Sequence, residues 1–208
     1  MATSVAVRPK MLLTGFEPFG QCDVNTSWEI VKSIPELPGM LLSKLLLPVA
    51  FNASVDILVR KIDELQPDFV VSLGQASSRD TFSLERVAVN IADAKHPDNA
   101  GFCPKNLVIS SEGERQYIST LPIVDIFHSL QQHDIPVSVS DSAGVYVCNH
   151  LMYCILHHIS VNGLPVKAGF IHVPGIVKLS PGNATLNMSI MQNALILTLE
   201  VLRNGFVN

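Results

Sequence analysis

Three residues have side chains and positions that could support nucleophilic catalysis by a thiol: Cys148, His172 and Glu85. Cys148 falls in the first turn of a predicted helix, where unpaired backbone N–H groups and the helix dipole favour a thiolate. His172 lies near the end of an apolar strand and could activate that thiol. Glu85 begins an alternating segment, and its carboxylate could fix the tautomer of a histidine. The pattern predicts a cysteine nucleophile with a base and an orienting acid.

Each of these residues also has an ordinary structural explanation. A free cysteine is usually a small buried hydrophobe, a strand-end histidine can be a core residue, and a glutamate at a strand start is often solvated. A metal site is the rival chemistry, because His150, Cys154 and His158 recur at i, i+4 and i+8 on one helical stripe. The middle of that stripe should face the core and no carboxylate joins it. We therefore expect no metal and no cofactor.

Strands and helices alternate along the chain, and this order decides which residues can meet. Short apolar or alternating runs predict strands at 11–14, 41–47, 69–73, 86–93, 137–140 and 166–173. Helical spacing predicts a helix that begins at Thr26 and further helices over 52–65, 122–133, 146–159 and 183–202.

Local signals refine these elements. Thr26 to Glu29 matches a capping box, and Asn204-Gly205 is expected to end the last helix. In the segment 86–93, alternation predicts that Val87, Val89 and Ile91 face the core.

The alternation predicts an α/β protein: a single-domain three-layer α/β/α sandwich with a mostly parallel, mixed twisted sheet. We expect one domain over residues 1–208, with residues 1–9 as a flexible N-terminal extension. Functional groups gather at the carboxyl ends of the strands in such sheets. That rule selects four stretches of the chain: 15–20, 74–79, 141–148 and 172–175.

Composition excludes several classes of protein. Hydrophobic residues make up 48% of the 208 residues and charged residues 15%, which is unlike a disordered chain. The formal net charge of −4 gives no electrostatic footprint for nucleic acid. No apolar run reaches membrane-spanning length, so we expect neither nucleic acid nor a membrane as a partner. Residues 1–10 carry no signal-peptide run, and we therefore expect a cytoplasmic location. There the four cysteines would be reduced thiols: Cys22, Cys103, Cys148 and Cys154.

Several short segments together resemble one known family. They are 14–20 (TGFEPFG), 74–76 (GQA), 85–90 (ERVAVN), 97–99 (PDN), 143–150 (AGVYVCNH) and 172–174 (HVP). In order and spacing, from about residue 11 to residue 203, the chain resembles the pyroglutamyl peptidase I family of cysteine peptidases, also called pyrrolidone carboxyl peptidases.

The resemblance implies an exopeptidase that removes an N-terminal pyroglutamyl (5-oxoprolyl) residue from peptides through a thioacyl intermediate. It makes Cys148, His172 and Glu85 the catalytic triad. It also places Phe16 and Phe19 in the pocket that grips the lactam ring, with Gln75 and its backbone at the ring's amide edge. A homo-oligomer, either dimer or tetramer, is implied as well.

The chain departs from the family pattern near the substrate. Lys95 and His96 stand where the family usually has Arg and an apolar residue, which are associated with the oxyanion site and the ring pocket. Both are therefore substrate-binding candidates. Ser77 and Ser78 replace common glycines, and Asp141 replaces a common Asn. Two hypotheses stay open: an active exopeptidase, and a catalytically weak or inactive relative that binds pyroglutamyl groups.

Overall fold

The computed structural model describes residues 7–175 and 186–206. The ten strands of this part are β1 (Lys10–Phe16), β2 (Leu41–Leu47), β3 (Phe69–Gln75), β4 (Phe82–Glu85), β5 (Val87–Val89), β6 (Ile91–Ala92), β7 (Leu107–Val108), β8 (Gln116–Ile118), β9 (Val137–Ser140) and β10 (Lys167–Val173). The helices described are α1 (Thr26–Ser33), α2 (Phe51–Leu65), α3 (Ile123–Gln132), α4 (Val147–Val161) and α5 (Met188–Phe206).

Six strands form one central sheet in the order β2-β1-β3-β10-β4-β9. Every neighbouring pair is parallel except β10 and β4, which are antiparallel. The remaining strands form two small antiparallel pairs, β5 with β8 and β6 with β7. The predicted mostly parallel, mixed sheet is confirmed.

Helices cover both faces of the sheet because successive strand residues point to opposite sides. In β1, Met11 and Leu13 join a core cluster with α1, α3 and α5, whereas Leu12 joins a second cluster with α2 and α4. The three-layer α/β/α arrangement is therefore confirmed. The single-domain boundary stays a prediction, and residues 1–6 of the expected extension lie outside the described residues. Pro9 is buried, and its carbonyl accepts a hydrogen bond from the Leu41 N–H (2.9 Å).

The capping box at Thr26 is wrong by one residue. Asn25 is the N-cap of α1, and its side-chain oxygen accepts from the Ser27 N–H (3.1 Å). Glu29 does not reach back to the cap but pairs with Lys32 (2.7 Å). Asn25 occupies the N-cap position because its amide also donates to the Glu17 carbonyl (2.9 Å), and this bond fixes the loop that enters the helix.

The single strand predicted over 86–93 is also wrong. The chain breaks at Asn90 into β5 and β6, and the buried residues are Ala88 and Ala92. Ile91 is 41% exposed, so the predicted core face is the wrong one. β5 and β6 pair with β8 and β7 instead of joining the central sheet. Alternation in the sequence predicts that a strand has two different faces, but the pairing decides which face is buried.

The last helix ends four residues later than predicted. It continues through Asn204 and Gly205 to Phe206, whose ring packs on Phe69 with centroids 6.1 Å apart. That contact explains why the expected stop signal does not end the helix. Residues 183–185 of the predicted helix lie outside the described residues, and residues 186–187 are not helical, so the described helix begins at Met188. None of the helices in the described ranges has the length and apolar character needed to cross a bilayer.

Candidate active site

Strand alternation places Glu85 and His172 on the same face of the sheet. Their strand neighbours Leu84 and Ile171 belong to the core cluster on the side of α1, α3 and α5. Glu85 and His172 therefore point to the side that α4 covers. In the antiparallel β10–β4 pair, Glu85 lies opposite Phe170 and His172 lies opposite Ser83, so the two residues are diagonal neighbours.

Glu85 was expected to begin the alternating segment that follows it, but it is the last residue of β4. Its carboxylate is fully buried, and the His172 ring donates from Nδ1 to its Oε1 (2.8 Å). A histidine whose Nδ1–H is held by a carboxylate leaves Nε2 to accept a proton. This is the orienting contact that the sequence predicted.

Cys148 is the second residue of α4, as predicted, and lies over the carboxyl ends of β3 and β10. The N-cap Tyr146 makes no side-chain cap bond, so the first turn of the helix is not closed by its own cap. Gly74 makes room for the thiol, since a Cβ there would lie 3.0 Å from Cys148 Sγ and 2.7 Å from the Phe170 ring. Cys148 is half-buried and hydrogen-bonds to His172.

The environment of His172 favours its charged form. Burial lowers the pKa of His172, but the negative charge and hydrogen bond of Cys148, followed by those of Glu85, raise the pKa to about 9. Its neighbours Cys148 and Glu85 therefore favour the imidazolium form of His172. The structure brings together a thiol, an imidazole and a buried carboxylate, the three side chains that the sequence singled out.

Arg79 is the residue at this site that the sequence did not single out. Its Nη2 lies 2.7 Å from Glu85 Oε1 and donates to Ser140 Oγ and the Ser142 carbonyl (3.1 Å each). The available signal was its place in the stretch 74–79 after β3, combined with the need of a buried carboxylate for a cation.

Asn149, next to Cys148, fixes the nucleophile helix to the segment that follows Glu85. Its fully buried amide accepts from the Val89 N–H (2.8 Å) and donates to the carbonyls of Val89 (2.9 Å) and Ile91 (3.0 Å). These bonds replace ladder bonds that a continuous strand would make, and they coincide with the break at Asn90.

Phe16 and Phe19, the two phenylalanines predicted to hold the lactam ring, lie near His172 and Cys148 through contacts with other rings. Phe16 is buried at the end of β1, 6.3 Å from Phe170, and the Phe170 ring lies 4.9 Å from that of His172. Phe19 is half-buried and packs on Tyr146, two residues before Cys148, at 5.5 Å. The two rings thus lie near the predicted base and nucleophile respectively.

The side chain of Gln75, predicted to meet the lactam, makes hydrogen bonds within the protein. Its Oε1 accepts from the Thr26 N–H (2.8 Å) and its Nε2 donates to Ser77 Oγ (3.2 Å). The amide thus anchors the first turn of α1, and Ser77, where a glycine is common, supplies a partner to it.

Lys95 and His96 lie on an exposed loop. Neither side chain forms a hydrogen bond or ion pair with another residue of the described chain. The loop itself is held just beyond them: Tyr146 donates to the Pro97 carbonyl (3.1 Å), and the Asn99 amide donates to Glu17 Oε1 (2.7 Å). These anchors connect the loop to both the helix of Cys148 and the segment between the two pocket phenylalanines.

The three residues considered for a metal site, His150, Cys154 and His158, lie in separate environments. His150 packs on Phe51 with ring centroids 5.3 Å apart, and burial lowers the pKa of His150 to about 4. Burial, with a smaller contribution from Asp56, raises the pKa of the Cys154 thiol to about 12. His158 lies 3.3 Å from Asp63. Over residues 7–175 and 186–206, no three His, Cys, Asp or Glu side chains are grouped to hold a metal ion.

Comparison with known proteins gives the same fold and identifies the family. The family model described as pyroglutamyl peptidase matches residues 9–202. The chain belongs to the pyroglutamyl peptidase family. The resemblance seen in the sequence is thereby confirmed, and with it membership in a family of cysteine peptidases.

Relatives within this family align over almost the whole chain. Pyrrolidone-carboxylate peptidase 1 of Caldanaerobacter subterraneus is 44% identical over 93% of this chain and 97% of its own. The pyrrolidone-carboxylate peptidase of Thermococcus onnurineus is 47% identical over 80% of this chain and 84% of its own. The crystal structure of pyroglutamyl peptidase I from Bacillus amyloliquefaciens matches with a TM-score of 0.88 at 36% identity, covering 95% and 98% of the two chains.

The raised pKa of His172 predicts how stability changes with pH. Because that pKa rises from 6.5 to about 9 on folding, the contribution is fully present below about pH 6.5 and is lost as pH rises through about 9. We expect wild type to lose up to about 3 kcal/mol of unfolding free energy relative to His172→Gln across this window. Urea unfolding of both proteins at about pH 6 and about pH 10 measures it.

Cys148→Ser is the control, because it removes the largest cause that raises this pKa. Its pH dependence should be smaller than that of wild type. An equal pH dependence in wild type and His172→Gln would contradict the assignment.

Proposed function

We propose that this chain is a cysteine exopeptidase that hydrolyses the bond after an N-terminal pyroglutamyl residue of a peptide. The observation that supports this most is the chain of contacts from Cys148 through His172 to the buried Glu85. A binding protein of the same fold would not need these three residue types held in contact. Family membership supplies the substrate class.

In the proposed reaction, the Cys148 thiolate attacks the carbonyl carbon of the pyroglutamyl residue and forms a C–S bond. The first-turn N–H groups of α4 stabilise the negative charge that develops on the carbonyl oxygen. His172 then gives its proton to the leaving amine as the C–N bond breaks, which leaves a thioacyl intermediate. Water, deprotonated by His172, attacks that intermediate, releases pyroglutamate and restores the thiol.

We propose that the lactam ring is held between Phe16 and Phe19, because a flat, neutral ring packs well on aromatic faces. Since the Gln75 side chain is bonded to α1, its backbone is the better candidate for the amide edge of the ring. Lys95 and His96 remain candidates for substrate contacts because their side chains are exposed on a loop anchored beside Tyr146.

The first test compares two cysteines on the same helix. Cys148→Ser should lower kcat for a chromogenic pyroglutamyl amide by about 10⁴ or more, since the nucleophile is lost. Cys154→Ser is the matched control: the same change, six residues further along α4, should leave kcat within about threefold of wild type because Cys154 only packs in the core.

Steady-state hydrolysis of the amide by the purified proteins measures both effects. Full activity in Cys148→Ser would contradict the mechanism. Wild-type protein that binds pyroglutamate without hydrolysing the amide would instead support the non-catalytic binding protein.

The second test concerns substrate choice. An N-terminal proline keeps the five-membered ring but lacks the ring carbonyl and carries a charged amine. It would leave the polar edge of the site unpaired and bury a cation between Phe16 and Phe19. A site that hydrogen-bonds a polar edge of its substrate rejects an analogue without that edge by about 10⁴ or more, whereas a hydrophobic pocket rejects an analogue by only about 10–200. We therefore expect kcat/KM to be at least about 10³ higher for the pyroglutamyl amide than for the prolyl amide. Comparable values for the pyroglutamyl and prolyl amides would rule out lactam recognition.

A further inference from the structure

We propose that Arg79 is a positioning residue of the active site, whose guanidinium neutralises the buried Glu85 carboxylate and sets the pH range over which Cys148 and His172 are correctly protonated. This inference rests on the proposed function, because it concerns the same three residues. It adds a fourth charged group, Arg79, to the arrangement.

The contacts of Glu85 show why a cation is needed. Its side chain is fully buried, and Oε1 both accepts from His172 Nδ1 (2.8 Å) and lies 2.7 Å from Arg79 Nη2. Its Oε2 is buried with no hydrogen-bond partner among the described residues. A buried carboxylate without a counter-ion takes up a proton, and a neutral Glu85 would no longer stabilise an imidazolium.

The same guanidinium also holds the loop that leads to the nucleophile. Arg79 Nη2 donates to Ser140 Oγ and to the Ser142 carbonyl, each at 3.1 Å. Six residues after Ser142 comes Cys148, with Gly144 between them in the left-handed region (φ 81°). One side chain, which is 26% exposed, therefore contacts both the orienting acid and the entry to α4.

A second ion pair joins the same two segments without touching the carboxylate. Arg86, adjacent to Glu85, lies 2.6 Å from Asp141 in the loop after β9. Both side chains are more than half exposed, at 54% and 65%. Arg86 thus offers a control for loop attachment alone, since its charge is solvated.

The charged groups around Glu85 determine the sign of the effect. His172 faces it from β10, Cys148 acts through His172 from α4, and Arg79 faces it from the loop after β3. Removing a positive charge raises the proton affinity of every group in this coupled set, whichever of them holds the proton. Both limbs of the activity profile must then move to higher pH.

The experiment compares Arg79→Gln, Arg79→Lys and Arg86→Gln with wild type. Two profiles against pH are measured: kcat/KM for a pyroglutamyl amide, and the rate at which iodoacetamide alkylates Cys148. In Arg79→Gln both profiles should move up by about one pH unit or more, which is the usual effect of losing a close counter-charge. Arg79→Lys should keep the profiles within about 0.3 units because the positive charge stays. It should lower kcat because the shorter lysine side chain cannot make all three contacts of Nη2 at once. Arg86→Gln should leave the profiles unchanged.

If Arg79→Gln lowers kcat but leaves both pH profiles where they are in wild type, the proposal is overturned. Arg79 would then only hold the loop that leads to Cys148. If wild type does not hydrolyse the amide, the proposed function fails, but the alkylation profiles still decide the role of Arg79. If Arg79→Gln does not fold, the double variant Arg79→Gln/Glu85→Gln decides instead. Recovered folding would show that the uncompensated carboxylate was the cause, and continued unfolding would overturn the proposal.

Discussion

The Glu85 carboxylate has no exposed surface, and its negative charge must be balanced by groups that the fold brings to it. His172 and Arg79 supply that balance from two different parts of the chain, through distances of 2.8 and 2.7 Å. Because both contacts use the same oxygen, a shift of Arg79 or His172 would leave this carboxylate with one partner in place of two. The geometry proposed for catalysis is therefore also the arrangement that compensates the buried charge.

This requirement explains the one antiparallel pair in the central sheet. The antiparallel pairing of β4 with β10 sets Glu85 diagonal to His172 on the face that α4 covers. Parallel neighbours then place the carboxyl ends of β3 and β10 beneath the start of α4, where Cys148 lies. Gly74 completes the arrangement, since any side chain there would collide with the Phe170 ring. Cys148 and His172, the proposed nucleophile and base, thus come from helix and strand ends that the sheet order brings together.

Much of this arrangement could be predicted from the sequence, because Cys148 and His172 lie at element ends that local patterns identify. The features that could not be predicted depend on contacts between residues far apart in the sequence. The strand of Glu85 was missed because its partner in β10, Phe170, lies 85 residues further along the chain. Arg79 was missed because its partner is defined only by the folded sheet. The hydrogen bond of the Gln75 side chain was missed because the helix N–H that donates to it, that of Thr26, is close only in the fold.

The central claim, that Cys148 is the nucleophile of a pyroglutamyl peptidase, is tested most directly by trapping its acyl intermediate. An activated pyroglutamyl ester acylates a thiol faster than water removes the acyl group, so the intermediate should accumulate during turnover. Acid quenching followed by peptide mapping by mass spectrometry locates the adduct. The account predicts a pyroglutamyl group on the peptide that contains Cys148. Turnover of the ester with the adduct on another residue, or with none at all, would contradict it.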